Sequence, residues 1–413
     1  MNGRFNISTK NEDHTSAEGI EFSLVIPCLN EVETLETVIT KAQSALERLG
    51  IAGEVVVSDN GSTDGSQEIA RRMGAVLVDA PVRGYGGALM SGISVARGTY
   101  VIMADADDSY DWSGIDPLVE GLRQGNDLVM GCRLPKGGGT IKPGAMPWAN
   151  RWIGNPSLSL IGRLLFSAPV TDFHCGMRGF RKEAIERLDL QTTGMEFASE
   201  MVLKATLAGL KIAEVPIVLH PDGRSRPPHL RRWRDGWRHL RFMLLFSPRW
   251  LFFYPGMILM TLGFMFGLRL MFGPISVGKV SFDVQTLLFA VTALIIGYQS
   301  TQFAIFSRVF SINEGLLPPN AKLAKLQSLV TLEIGLVIGM VLLLAGLAGS
   351  VYAVLYWGET SSFGPLRMNI SVSLRIIIPS VGSMIIGLQT ILGSFFLSVL
   401  ALSRKGRAVT GTD

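Results

Sequence analysis

Cysteine is scarce: Cys28, Cys132 and Cys175 are the only three in 413 residues. So few thiols in so long a chain exclude a disulfide framework and fit a reducing compartment. Charge is scarce too. Asp, Glu, Lys and Arg make up 17% of the chain, where a soluble domain carries about 25%. The shortfall is uneven: Met1 to Trp250 alternates charged, glycine-rich and short apolar stretches, whereas Leu251 to Leu402 is almost continuously apolar. With 48% hydrophobic residues, a mean hydropathy of +0.34 and a net charge of +4, one half can bury a core in water and the other needs lipid. Residues 1–20 hold no apolar core, so a tail is expected there and not a signal peptide.

Four apolar runs, Trp250 to Phe272, Val284 to Phe306, Leu329 to Trp357 and Val372 to Leu402, each reach the roughly 20 residues that a membrane-crossing helix needs. They define an expected four-helix membrane domain over 250–402. Arg308, Lys322 and Lys325 follow the second run, and Arg404, Lys405 and Arg407 follow the fourth. The positive-inside rule puts both sets in the cytoplasm, so the crossings are even and the N-terminal half and the 403–413 tail are cytoplasmic as well. Arg269, Arg375 and Glu333 lie near run ends and are expected to reach the interface. Gly335, Gly339, Gly346 and Gly349 suit close helix packing.

The soluble half alternates strand-like runs (Phe22 to Ile26, Glu54 to Ser58, Ala75 to Val78, Tyr100 to Ala104) with helical patterns (Glu33 to Leu49, Ser66 to Met73, Gly87 to Ala96). That alternation predicts an α/β fold with a doubly wound, mostly parallel sheet, whose ligands bind beyond the carboxyl ends of the strands. The loops there are polar: Pro27-Cys28-Leu29-Asn30-Glu31, then Asp59-Asn60-Gly61-Ser62-Thr63-Asp64-Gly65, then Asp105-Ala106-Asp107-Asp108-Ser109-Tyr110-Asp111. Helix N-capping would account for Asn30 and Asp64, but it needs no cluster of four aspartates. Asp105 and Asp107 flank a small residue and can converge where a strand ends. Two hard oxygen ligands with open positions suit Mg²⁺ or Mn²⁺ shared with substrate phosphates. A D-x-D triplet also serves merely to solvate a loop; its place after Val101-Ile102-Met103-Ala104 favours the metal.

In order and spacing these three loops resemble an inverting family 2 glycosyltransferase with a GT-A, Rossmann-like fold. Gly84-Tyr85-Gly86-Gly87-Ala88-Leu89, Gly131-Cys132-Arg133, Gly176-Met177-Arg178-Gly179-Phe180 and Glu214-Val215-Pro216 narrow the resemblance to polyprenyl-phosphate glycosyltransferases of the dolichol-phosphate mannose and glucose synthase type. It covers roughly Ser23 to Arg241. The resemblance implies that Pro27, Asn30, Glu31, Asp59 and Ser62 hold the donor nucleotide. Asp105 and Asp107 would hold the metal and the donor diphosphate, with Asp107 catalytic. Arg133 would serve the acceptor phosphate and catalysis, and Arg151 is a second phosphate ligand by the same analogy. Arg224 falls where the family closes a loop over the donor. The glycines at Gly84 to Gly87 suit either a ligand's close approach or helix packing. A phosphate monoester is largely dianionic at neutral pH, so such a nucleophile needs aligning cations more than a base, and arginine forks suit that. Glu196 and Glu200 lie four residues apart on a predicted helix, Glu196 to Ala208, where helix-face or sugar contacts are favoured over catalysis.

The expected domains are the tail 1–20, a cytoplasmic catalytic domain over 21–228 with an interfacial helix near 155–167, a basic juxtamembrane helix over 229–249, the membrane domain and the C-terminal tail. Arg224, Arg226, Arg231, Arg232, Arg234, Arg238 and Arg241 interleave with Trp233 and Trp237. Beside a membrane run such a stripe points to anionic lipid headgroups and not to nucleic acid. The expected partners are therefore a nucleotide-diphosphate sugar, a polyprenyl phosphate and anionic lipids, with a homo-oligomer left open. Two alternatives remain. One is a processive polysaccharide synthase, whose Q-x-x-R-W motif His229-Leu230-Arg231-Arg232-Trp233 resembles except at the first residue. The other is an inactive scaffold or lipid-flipping partner.

Overall fold

The computed structural model describes residues 19–225, 232–314, 317, 331–364 and 370–401. Expectations placed on the first 18 residues, on the side chains from Arg226 to Trp233, on Lys322 and Lys325, and on the 403–413 tail lie outside the described residues. The chain divides after Met243 into two compact units.

In the first unit the order is β1 Phe22–Cys28, α1 Leu35–Arg48, β2 Gly53–Asp59, α2 Ser66–Arg72, β3 Val76–Asp79, α3 Tyr85–Val95, β4 Tyr100–Met103, α4 Asp116–Arg123 and β5 Leu128–Cys132. Then come β6 Thr140–Ile141, α5 Asn155–Phe166, β7 Arg178–Arg181, α6 Lys182–Glu186, α7 Phe197–Leu207, β8 Ile212–Pro216, β9 Val218–Leu219 and α8 Arg232–Leu245. Seven strands form one sheet in the order β3-β2-β1-β4-β7-β5-β8. Its pairings are parallel except at β7, which runs antiparallel between β4 and β5. β1 and β5 bury nearly every residue, as strands covered on both faces do. α1 covers one face with Leu35, Val38, Ile39, Ala42, Ala45 and Leu46, an apolar stripe at helical spacing. The carboxyl ends of β2, β1 and β4 are thus neighbours, and the three polar loops share one rim.

Two later helices differ from each other in what they bury. α5 covers Asn155–Phe166. It turns Ser159 and Gly162 inward, where the Phe173 backbone N–H donates to Ser159 Oγ at 3.1 Å. Trp148, Trp152, Ile153, Leu160 and Leu164, before and along it, are exposed. The basic helix expected over 229–249 spans Arg232–Leu245, and one face of it belongs to the soluble core. Met243 is fully buried there, and His239 Nδ1 lies 2.7 Å from Ser199 Oγ.

The second unit holds four helices long and apolar enough to cross a membrane: Arg249–Met271, Val284–Asn313, Leu332–Ser361 and Ile370–Ala401. A short hairpin, Ile275–Val277 with Val280–Phe282, joins the first two. Arg375 does not simply reach for the interface. It pairs with Asp283, and its Nε donates to the Leu270 carbonyl at 3.1 Å, so one guanidinium ties three helix ends together. The glycines of the third helix pack as expected: a Cβ on Gly339 would lie 2.6 Å from Ile391 Cγ1 and 2.8 Å from the Gly387 carbonyl.

Candidate active site

Asn30 adopts a left-handed backbone, φ 58°, which asparagine tolerates better than most residues. The bend turns the first loop onto the second. Asn30 N–H donates to Ser62 Oγ at 2.8 Å, Thr63 N–H donates to Asn30 Oδ1 at 2.8 Å, and Val32 N–H donates to Asp64 at 3.0 Å. Asn30 is therefore no helix cap, since α1 begins only at Leu35. Asp64 does hold the start of α2, accepting from Ser66 N–H at 3.0 Å and from its hydroxyl at 2.6 Å. Asp59, fully buried, accepts from Gly61 N–H, Ser62 N–H and Gln67 Nε2. Gly61, at φ +93°, makes that turn.

The third loop meets the first through Arg224. Its Nη2 donates to Asp107 Oδ2 at 2.7 Å and to Asp222 Oδ2 at 3.1 Å, and its Nη1 to Glu31 Oε1 at 3.1 Å. The other Asp107 oxygen accepts from the backbone and hydroxyl of Ser109. Burial works against the Arg224 charge, but Asp107 and Glu31 outweigh it and raise its pKa. For Asp105, burial first and the Asp107 charge next push the carboxyl up to about 7. A cavity of about 330 Å³ opens beside this cluster, lined by Asn30, Glu31, Val32, Glu33, Thr63, Asp64 and Arg224.

Arg133, after β5, is buried against Asp172. Burial would raise the Asp172 carboxyl, but the Arg133 charge and hydrogen bonds hold it below the usual range. Arg133 Nη1 faces the Tyr110 hydroxyl at 3.3 Å, and that hydroxyl also accepts from Gly176 N–H at 2.9 Å. Among the described residues no group of three or more His, Cys, Asp or Glu side chains forms a closed metal cage. Two aspartates at a strand end fit a hard cation that draws its remaining ligands from substrate and water. That a guanidinium already rests on Asp107 shows the spot accepts positive charge.

Residues 23–189 match Glycosyl transferase family 2, and residues 305–401 match the Glycosyltransferase family 2 C-terminal transmembrane region. The low-salt glycan biosynthesis hexosyltransferase Agl6 of Haloferax volcanii is 38% identical over 380 residues, spanning 92% of this chain and 88% of that protein. The chain belongs to glycosyltransferase family 2. This glycosyltransferase is also 30% identical over 198 residues to a dolichyl-phosphate hexose transferase of the same organism, across 48% of this chain and 82% of the relative. Among solved structures it is similar to glucosyl-3-phosphoglycerate synthase of Mycobacterium tuberculosis, in complex with Mn²⁺, uridine diphosphate and glucosyl-3-phosphoglycerate. The TM-score is 0.44 and the identity 24%, over 55% of this chain and 79% of that one.

In this glycosyltransferase Asn30, Asp59 and Ser62 form one network, and Glu31, Asp107 and Arg224 form another. Pro27 sits within β1 beside Ser58 of β2. Arg151 is bonded to none of these groups among the described residues; its guanidinium stacks on Trp152 at 5.3 Å. Gly86 and Gly87 serve packing: a Cβ on Gly86 would lie 2.8 Å from Phe197 Cβ, and Gly87 N–H donates to the Thr193 carbonyl at 3.1 Å. Glu200 is no sugar-facing group. It is buried, accepting from Gln191 and Thr192 and pairing with Lys204 at 2.8 Å. Sequence reasoning missed Asp172, Tyr110 and Ser109. Asp172 stands alone between Thr171 and Phe173, with no spacing that ties it to Arg133.

Proposed function

We propose that this glycosyltransferase moves one hexose from a nucleotide diphosphate to a polyprenyl phosphate at the cytoplasmic leaflet, inverting the anomeric carbon. The observation that carries this reading is the Glu31–Arg224–Asp107 cluster at the mouth of the cavity, in a chain whose other half is a membrane region. The first two loops would hold the nucleoside through Pro27, Asn30, Glu31, Asp59 and Ser62. Asp105 and Asp107 would hold Mg²⁺ or Mn²⁺, which when bound takes up charge on the departing diphosphate. The polyprenyl acceptor is supported by the named activity of the dolichyl-phosphate hexose transferase relative.

The acceptor is its own nucleophile. One phosphate oxygen forms a bond to the anomeric carbon as the bond from that carbon to the diphosphate oxygen breaks. Arg133 would steady this acceptor: Asp172 fixes two of its nitrogens, and the long 3.3 Å contact of Nη1 with Tyr110 is the one a phosphate oxygen replaces. Arg151 would supply a second cation. The exposed Trp148, Trp152, Ile153, Leu160 and Leu164 support seating the domain at headgroup depth, since exposed apolar clusters of this kind mark membrane or protein contacts.

The test is direct. Full-length protein in detergent is incubated with labelled glucose, mannose or N-acetylhexosamine nucleotides and polyprenyl phosphate, with and without chelator. A lipid carrying one sugar, lost on chelation, is expected. Polymer would instead establish a processive synthase, and no product with any donor would leave a scaffold.

A further inference from the structure

Arg224 lies on a strap fastened at three points. His220 N–H donates to the Ser109 carbonyl at 2.9 Å, Gly223 N–H donates to the Asp107 carbonyl at 2.9 Å, and Ser225 donates its N–H to Glu33 at 2.7 Å and its hydroxyl to the same carboxylate at 2.5 Å. These bonds set the strap across both the first and the third loop. One guanidinium then faces three carboxylates, Asp107, Glu31 and Asp222, and among the described residues its buried Nε has no hydrogen-bond partner.

The Asp107 contact matters most. Its Oδ1 is held by its own turn through Ser109, so Oδ2 is the oxygen left for an incoming cation, and Arg224 already takes it at 2.7 Å. A small hard divalent ion would sit about 2.0–2.1 Å from that same oxygen. Two cations cannot share one carboxylate oxygen at such distances without strong repulsion. We propose that Arg224 is an exchangeable internal cation: it neutralises Asp107 and Glu31 until a divalent metal claims Asp107, and the displaced guanidinium then grips the donor diphosphate. The proposal rests on the metal reading of the same site given above.

Geometry favours exchange over a fixed anchor. Among the described residues one guanidinium serves Asp107, Glu31 and Asp222 together, so none of the three carboxylates holds it exclusively. The guanidinium is also a preformed fork for phosphate oxygens, with Nε in reserve. The strap's backbone bonds to the Ser109 and Asp107 carbonyls and to Glu33 do not involve the Arg224 side chain, so the guanidinium can swing while the strap stays docked. Metal and diphosphate would then bind with mutual reinforcement, because each removes a cost from the other.

Mn²⁺ binding to full-length protein in detergent, without nucleotide, is measured by electron paramagnetic resonance of the free ion. Arg224→Gln is expected to bind Mn²⁺ at least tenfold more tightly than the wild type, and Arg224→Lys to fall between. With Mn²⁺ saturating, pyrophosphate should bind at least tenfold more weakly to Arg224→Gln. On the wild type, saturating pyrophosphate should tighten Mn²⁺ binding; this arm needs no variant to fold. Unchanged or weaker Mn²⁺ binding in Arg224→Gln, at unaltered melting temperature, overturns the proposal, as does Mn²⁺ binding to the wild type that is indifferent to pyrophosphate. Asp107→Asn separates the two readings. If it loses Mn²⁺ while Arg224→Gln gains nothing, exchange alone falls; if it binds Mn²⁺ like the wild type, the metal reading falls and exchange with it.

Discussion

Asp172 accepts from Nε and Nη2 of Arg133 at 2.7 and 2.9 Å, and from the Arg133 backbone N–H at 3.0 Å. The carboxylate is fully buried. Removing one partner of such a pair strands the other charge, at about 3–5 kcal/mol, whereas replacing both by apolar groups is often close to neutral. Asp172→Ala should therefore lower the melting temperature sharply. The double change Arg133→Met with Asp172→Leu should restore most of it without restoring transfer. Thermal melts beside initial rates check this, and a stable double variant with full transfer would remove Arg133 from the acceptor site.

Asp107→Ala should reduce kcat by ~100-fold or more, the scale on which a lost electrostatic stabiliser of a transition state is felt. Asp107 is buried and bonded to Ser109 and Arg224, so the melting temperature should fall as well, and thermal melts run beside the rates. Single-turnover assays with saturating donor and acceptor separate this loss from a change in KM.

Glu54 accepts from Ser23 Oγ at 2.7 Å, from Arg97 N–H at 2.7 Å and from Arg97 Nε at 2.9 Å. Burial raises its carboxyl, but these bonds outweigh burial and leave it below the usual 4.5. The charged form is thus favoured by folding, so its stabilisation is complete above about pH 4.5 and is lost as pH falls through the lower folded value. Glu54→Gln should cost about 1.5–3 kcal/mol at neutral pH. Denaturant titrations of wild type and variant should converge on acidification; a constant gap would refute the assignment.

Gly387 faces the third membrane helix so closely that a Cβ would lie 2.6 Å from Leu343 N and 2.7 Å from the Gly339 carbonyl. Gly387→Leu should force the third and fourth helices apart and lower the aggregation temperature in detergent. Gly278→Leu, in the hairpin with nothing near its Cβ but at φ +61°, should cost only local strain of about 1–2 kcal/mol.

Much of this was legible in the sequence because its periodicities are strong. The strands β1, β2 and β4 are short apolar runs that end in polar loops, and the four membrane helices outrun any soluble core helix. β7 was not, since Arg178-Gly179-Phe180-Arg181 carries no β-branched residue and its antiparallel insertion is set by partners far away in the chain, such as Leu128 and Tyr100. The Arg224–Asp107 contact joins residues 117 apart, and the Arg133–Asp172 pair is likewise a product of the fold. Local pattern also misjudged Glu200, whose four-residue spacing from Glu196 reads as a helix surface although α7 is buried nearly throughout.

The three thiols lend themselves to an experimental use. Cys28, Cys132 and Cys175 are buried, and burial pushes each up to about 12. At neutral pH they present almost no thiolate to an alkylating reagent. The unaltered chain is thus a silent background for maleimide labelling: a reporter thiol at Lys279→Cys or Trp148→Cys reads sidedness and lipid shielding with all three native cysteines in place.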